Sequence, residues 1–210
     1  MANVKESRRQ RSQATREAIV TAAHAVFVES GYHGATITSI ADRAGVAPQT
    51  IYFVFHTKAE LISAVIDAAV VGHDDGSPPQ ARPWWQEMLD EPDAAEALKV
   101  FVRGASDAFA RASTISEVLR AAALTDTEVR ATHEHHERLR REAFGEVLDN
   151  LAAKAPLRAG LSRDHLLDAF LTVYGDSSYH HLTIERGWSH DEVMDWLSEV
   201  LPTILFEAKP

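Results

Sequence analysis

The 210-residue sequence contains no cysteine, and this absence excludes several kinds of chemistry. Disulfide bonds, thiol catalysis and metal sites held by cysteine all need a residue that the chain does not have. Long hydrophobic runs are also missing, since no segment approaches the roughly 18–20 apolar residues of a membrane span. The first residues, MANVKESRRQRSQATRE, are polar and lack the apolar region of a secretory signal. These absences predict a cytoplasmic protein.

Positive charge is scarce overall, which taken alone argues against a nucleic-acid partner. The chain has 21 Lys and Arg against 31 Asp and Glu, a formal net charge of −10. The charge is divided unevenly, however. Residues 1–60 hold seven basic and five acidic residues, a net of +2, whereas residues 61–210 hold 14 and 26, a net of −12. This asymmetry indicates two parts with different roles.

Apolar residues recur with the 3.6-residue period of helices, and strand-like alternation is almost absent. The pattern predicts an all-α fold, with a three-helix helix-turn-helix part at the N-terminus and a helical bundle after it. Residues 72–83 are rich in glycine and proline and are typical of a linker. Beyond the linker we expect helices over about 84–90, 93–112, 114–124, 126–153, 163–185 and 190–206.

Residues 36–58 combine two short helices with a tight turn. Thr36 suits the N-cap of the first helix, Gly45 should end it, and Pro48 suits the first position of the second. A helix before this segment should end at Gly31, and a helix after it should begin with a capping box of Thr57 and Glu60. Two helices joined by such a turn form a helix-turn-helix, whose second helix can lie in the major groove of DNA.

The second helix of this motif has two distinct faces. Ile51 and Phe55 fall on the side that can pack against the first helix. The other side mixes hydrogen-bonding and aromatic residues, namely Gln49, Thr50, Tyr52, Phe53 and His56. Gln can read adenine, and Thr and Phe can touch the thymine methyl group. The side chains placed to reach phosphates are Thr36, Tyr52, His56 and Lys58.

The segment resembles the DNA-binding domain of TetR-family transcriptional regulators, over roughly residues 15–66. The matching positions are Thr36, Ile40-Ala41, Ala44-Gly45-Val46, Thr50-Ile51-Tyr52, Phe55, Lys58 and Leu61. The resemblance implies a homodimer that binds DNA through three N-terminal helices and holds an effector pocket in its C-terminal body. It implies that Thr38, Gln49, Thr50 and Phe53 lie nearest the bases and that Thr36, Tyr52 and Lys58 contact phosphates. The predicted DNA-binding set adds Pro48 and His56 to these seven.

Two positions depart from the pattern of that family. Ala47 stands where the family usually has a Ser-type cap, and Val54 stands where a His or Tyr that touches phosphate is common. His56 is a candidate replacement for that phosphate contact. The predicted division is a DNA-binding domain over 1–57, a connecting helix over 58–71, and an effector-binding and dimerisation domain over 84–210.

The basic residues at the N-terminus have two interpretations. As part of a disordered terminus they are simply solvated, whereas as a DNA-binding arm they contact phosphates or the minor groove. The residues concerned are Lys5, Arg8, Arg9, Arg11 and Arg16.

The acidic body supplies candidates for an effector pocket and for a dimer interface. Aromatic and apolar residues that could line a pocket, or be ordinary core, are Trp84, Trp85, Phe101, Phe109, Leu119 and Tyr174. In the resembled family the last two helices pair with their two-fold copies. The corresponding residues here are Leu167, Phe170, Leu171, Tyr174, Val193, Trp196, Val200, Leu201 and Ile204.

The function that these observations favour is a ligand-responsive repressor that binds a palindromic operator as a homodimer and is released by a small-molecule effector. An activator on the same fold is an alternative, as is a helical adaptor that binds only protein. A metal-dependent enzyme is a further alternative, since His133 and His136 lie one helical turn apart. We expect no catalysis, cofactor or metal, because HExxH, GxSxG and phosphate-binding glycine loops are absent.

Overall fold

A computed structural model of the protein describes residues 2–72 and 77–207, with side chains from residue 9 onward. Within these ranges the chain forms helices and no β-strand, which confirms the all-α prediction. The α-helices are α1 (Ala2–Gly34), α2 (Ile37–Ala44), α3 (Pro48–Phe55), α4 (Lys58–Val71), α5 (Pro83–Asp90), α6 (Ala94–Ala123), α7 (Thr127–Lys154), α8 (Arg163–Val173), α9 (Asp176–His180) and α10 (His190–Leu205). A 3₁₀ turn at Pro79–Ala81 precedes α5, and a π-helical turn at His181–Glu185 follows α9.

The chain divides into two compact units, here called the head and the body. The head comprises the residues up to Ala69 together with Val118–His133, and the body comprises Val70–Glu117 with the residues from Glu134 onward. The long helices α6 and α7 each contribute one end to the head. This division is geometric, and the functional boundaries at 1–57, 58–71 and 84–210 stay a prediction.

Helix α1 includes the basic residues at the N-terminus, which neither interpretation of the arm predicted to be helical. Its backbone is helical from Ala2, and whether this arm contacts DNA stays a prediction. Among the arm residues, Lys5 and Arg8 lie outside the described side chains, whereas the others are exposed on α1. The helix breaks at the predicted position, because Gly31 adopts a φ of 68° that favours glycine.

Two predicted helix patterns in the body differ from the structure. The segments 93–112 and 114–124 form one continuous helix, α6, because no Gly or Pro interrupts the chain between them. The segment 163–185 is broken instead at Gly175, which has an extended backbone and caps α9. A Cβ at Gly175 would lie 2.5 Å from the carbonyl oxygen of Leu171, so only glycine fits there.

Lys154 ties the end of α7 to the end of α5. Its ammonium donates hydrogen bonds to the backbone carbonyls of Met88 and Leu89 at 2.8 Å and of Glu91 at 2.7 Å. These carbonyls belong to the last turn of α5 and the residue after it, where no intrahelical donor is available. Burial lowers the pKa of Lys154, and the three acceptors compensate for that burial.

Replacing Lys154 with Met should therefore destabilise the body. The side chain keeps its length but leaves three carbonyls without their donor, which should cost about 2 kcal/mol. Thermal unfolding should show a melting temperature lower by roughly 4–8 °C. The matched control is Lys99→Met, because Lys99 makes only an exposed ion pair with Glu96 and its loss should change little. Equal melting temperatures for the two variants would contradict this role of Lys154.

Candidate nucleic-acid interface

The helix-turn-helix forms as predicted, and each of its boundaries has a local cause. Thr36 Oγ1 accepts a hydrogen bond from the Ser39 amide at 3.0 Å, and Ser39 Oγ accepts one from the Thr36 amide at 3.2 Å. This reciprocal capping box starts α2. Gly45 ends α2 with a φ of 68°, in the left-handed region. Pro48 then opens α3 after Ala47, which makes no side-chain capping bond.

Helix α3 separates its buried and outer faces as the sequence predicts. Ile51 and Phe55 are buried in the head. Tyr52 is 54% exposed and Phe53 is 85% exposed, and Gln49 is exposed beside them. Two neighbouring aromatic rings left in water lose the burial that normally stabilises them, which indicates a surface that binds something.

The other predicted contact residues differ from one another in their exposure. Thr36 and Thr38 are exposed at the start of α2. Pro48 and Thr50 are half-buried in the first turn of α3, where they can still reach a groove that the helix enters. Every residue of the predicted set thus keeps part of its surface on or beside α2 and α3.

Lys58 is occupied by contacts within the head. Its ammonium donates to the carbonyls of Tyr32 at 2.8 Å and Ala35 at 3.1 Å, and it lies 4.2 Å from the centroid of the Tyr32 ring. Burial lowers the pKa of Lys58 and raises the pKa of Tyr32 to about 12. Lys58 joins α1 to α4 and has one N–H of its ammonium left, so its contact with a phosphate stays a prediction.

His56 combines a strained backbone with an exposed side chain. Its φ of 48° and ψ of −52° lie outside the regions that non-glycine residues normally adopt. Its Nδ1 lies 3.2 Å from a carboxylate oxygen of Glu60. The predicted capping box at α4 is thus half formed, since the Glu60 amide donates to Thr57 Oγ1 at 3.0 Å while its carboxylate faces His56. Strain retained at an exposed residue is a feature of binding sites.

Replacing His56 with Gly should stabilise the protein while weakening its binding to DNA. Glycine relieves the positive φ, and after its larger loss of backbone entropy the net gain should be about 1 kcal/mol. Chemical denaturation measures the stability, and titration with duplex DNA measures the affinity. His56→Ala is the control, because it removes the imidazole and keeps the strain. A gain in stability in His56→Ala equal to that in His56→Gly would show that the backbone is not strained.

Two contacts in the head could not be predicted from the sequence. Arg43 on α2 donates to both carboxylate oxygens of Glu29 on α1, at 2.7 and 2.8 Å, and this pairing lowers the pKa of Glu29. The guanidinium of Arg16 on α1 lies 4.4 Å from the centroid of the Phe55 ring on α3. Both join residues far apart in the chain, so helical periodicity does not reveal them.

In sequence, the head matches a known family. Residues 19–65 match the bacterial regulatory proteins of the tetR family. The chain is also similar to the HTH-type transcriptional regulator TtgR of Pseudomonas putida, with 38% identity over 66 residues, 31% of each chain. The match therefore spans less than a third of that relative.

In structure, the likeness extends along nearly the whole chain. Native NalD of Pseudomonas aeruginosa, described as the secondary repressor of the MexAB-OprM multidrug efflux pump, aligns with a TM-score of 0.68 and 20% identity, over 94% of this chain and 100% of NalD. FadR of Bacillus subtilis, in complex with stearoyl-CoA, aligns with a TM-score of 0.67 and 17% identity, over 88% and 96%. Residues 19–65 of the head therefore carry a tetR-family domain, and the whole chain shares the fold of these solved structures. The resemblance seen in the sequence is confirmed.

Four of the six predicted effector residues lie in the core of the body. Trp85, Phe101, Phe109 and Tyr174 are all buried. The Phe109 and Tyr174 rings are stacked with centroids 4.2 Å apart, and Phe101 lies edge-on to Tyr174 at 5.6 Å. Leu119 belongs to the head and is buried there. These five residues therefore fill cores rather than line a shared cavity.

Trp84 is the predicted effector residue that does line a groove. The groove has a volume of about 530 Å³ and is lined by Trp84, Glu87, Glu96, Lys99, Val100, Arg103 and Gly104. A Cβ on Gly104 would lie 2.3 Å from the indole ring of Trp84, so the ring lies flat where only glycine leaves room. In the sequence, only the presence of Gly104 inside the helical pattern of α6 could have indicated this close approach.

The predicted dimer residues fall into two groups, one buried within the chain and one partly exposed. Those already enclosed within one chain are Leu167, Phe170, Tyr174, Val193 and Leu201. They are core residues of the body and have no surface to offer a partner, which corrects their assignment. Those that keep part of their surface are Leu171, Trp196, Val200 and Ile204. The helical period predicts which residues are buried, but it does not show whether they are buried by the same chain or by a partner.

The histidines of α7 give no support to the metal-enzyme alternative. No group of three or more His, Asp or Glu side chains converges on a possible metal position in the described part of the chain. His133 and His136 therefore lack the further ligands that a catalytic metal needs. Among the described helices, none has the length and apolar character needed to cross a bilayer.

Proposed function

We propose that this protein is a ligand-responsive transcriptional repressor of the TetR type that binds a palindromic operator as a homodimer. The observation that carries the proposal is the outer face of α3, where Gln49, Tyr52 and Phe53 are exposed on the second helix of a helix-turn-helix. Gln can read adenine through two hydrogen bonds, and an exposed Phe can contact thymine methyl groups. A cytoplasmic location follows from this role.

Dimerisation is part of the proposal because one recognition helix reads only half of a palindromic site. Two-fold symmetric sites, with half-sites about 34–36 Å apart, call for a two-fold protein. The partly exposed apolar residues of α8 and α10 offer a surface, continued by Trp188, which is 38% exposed and lies edge-on to Trp196 at 6.0 Å. Aromatic residues of this kind are enriched at interfaces.

Release by an effector is the regulatory part of the proposal. We place the effector in the body and expect an apolar, partly aromatic molecule, because the body holds a cluster of aromatic residues and Trp84 borders a groove. The relatives support this division, since NalD is described as a repressor and the FadR structure holds stearoyl-CoA. Effector binding and DNA binding must then weaken each other reciprocally.

A gel shift with DNA flanking the protein's own gene tests the proposal, run at about 50 and 200 mM salt. The expected result is specific binding that weakens at higher salt. An adaptor or an enzyme should show no specific shift, which would overturn the proposal. A reporter gene behind the bound site separates a repressor from an activator, because a repressor lowers expression. Screening small molecules for thermal stabilisation and DNA release then identifies the effector.

A further inference from the structure

We propose that Arg16 is a preformed binding site for a phosphate of the DNA backbone beside the recognition helix. The inference rests on the proposed function, since it concerns the same DNA. It goes further by assigning one contact of the basic arm to one residue. The partner group is a phosphate diester and not a base, so the contact should be independent of sequence.

The first argument is the position of the guanidinium. Arg16 is exposed on α1, and its guanidinium carbon lies 4.4 Å from the centroid of the Phe55 ring. Phe55 is the last residue of α3 and is buried with its ring held in the head. The cation is therefore attached to the end of the recognition helix, although it comes from a different helix. A helix in the major groove has phosphates along both sides, and a cation fixed to its end lies next to them.

The second argument is that the donors of Arg16 are unused. Within the described residues, Arg16 makes no hydrogen bond or ion pair. Arg43 and Arg130 of the head differ, because Arg43 is paired with Glu29 and Arg130 donates to the carbonyls of Ala123 and Leu124. A guanidinium that stacks on a ring uses its face and keeps the N–H groups of its edge free. Those groups match the two oxygens of a phosphate.

The third argument is preorganisation. A free arginine must give up many side-chain conformations when it binds, whereas Arg16 is already restricted by its contact with Phe55. Arg11, five residues earlier on α1, is also exposed but has no aromatic ring contact. The structure thus contains an internal comparison between a stacked arginine and an unstacked one on the same helix.

The experiment measures the salt dependence of DNA binding for wild type, Arg16→Met and Arg16→Lys, with Arg11→Met and Arg11→Lys as matched controls. Each protein is titrated with the operator fragment and with an unrelated duplex. Arg16→Met should reduce the slope of log K against log salt by about 0.9 on both duplexes, as expected for one lost phosphate contact. Arg16→Lys should keep the slope and lose about threefold in affinity, because ammonium does not stack or bind in the same way.

The outcomes distinguish failure of the Arg16 phosphate site from failure of the proposed function. A wild-type slope in Arg16→Met would overturn the phosphate site, and so would a loss in Arg16→Lys no larger than that in Arg11→Lys. A purely structural role would lower the melting temperature and leave the slope unchanged, which also overturns it. Failure of the proposed function would look different, since wild type would then bind both duplexes equally. The slopes on the unrelated duplex would still test Arg16 in that case.

Discussion

Replacing Gln49 with Ala should lower affinity for the operator by about 10- to 100-fold, which is the loss expected for one bidentate contact to a base. Gln49 is exposed on the outer face of α3, so the substitution removes a reading group without disturbing the core formed by Ile51 and Phe55. The loss should be confined to specific binding, because the phosphate contacts are unchanged. Specificity at the contacted base pair should relax at the same time.

Competition binding with operator variants measures both effects in one experiment. Gln80→Ala is the matched control, since Gln80 is also exposed and belongs to the body. The control should bind every duplex like wild type. If Gln49→Ala weakens binding to all sequences equally, Gln49 contacts the backbone and α3 does not read bases through it.

The head could be predicted closely because its determinants are local. The cap at Thr36, the left-handed Gly45 and the opening Pro48 each act within one helical turn. The two faces of α3 follow from the helical period alone. For these features the identity of a few neighbouring residues decides the structure.

The remaining features depend on contacts between distant parts of the chain. Lys58 bonds to carbonyls 26 and 23 residues away, and nothing near it in the sequence indicates that its charge is used there. The period of α8 and α10 predicts burial but cannot distinguish a core from a dimer interface. The break at Gly175 depends on a backbone oxygen that only the folded helix brings close.

Replacing Tyr174 with Ala should cost about 3–5 kcal/mol of stability, the largest such effect that we expect in the body. Tyr174 is fully buried, stacks on Phe109, and donates a hydrogen bond from its hydroxyl to the carbonyl of Val102 at 3.1 Å. Burial raises the pKa of this hydroxyl well above its ordinary value, so it stays protonated and able to donate. The variant leaves a cavity among rings that cannot all collapse into it.

Chemical denaturation of Tyr174→Ala and Tyr174→Phe decides whether Tyr174 is a core residue or lines an open effector site. Tyr174→Phe keeps the ring and loses one hydrogen bond, so it should cost only about 1 kcal/mol. A large loss for Ala with a small one for Phe identifies Tyr174 as core, because close packing of its ring accounts for the difference. If Tyr174 instead faced an open effector site, both variants would lose little stability, because no close-packed neighbours would be lost. The same pair of variants then shows whether an effector must open this core to bind, since the cavity in Tyr174→Ala should admit an apolar ligand that wild type binds more weakly.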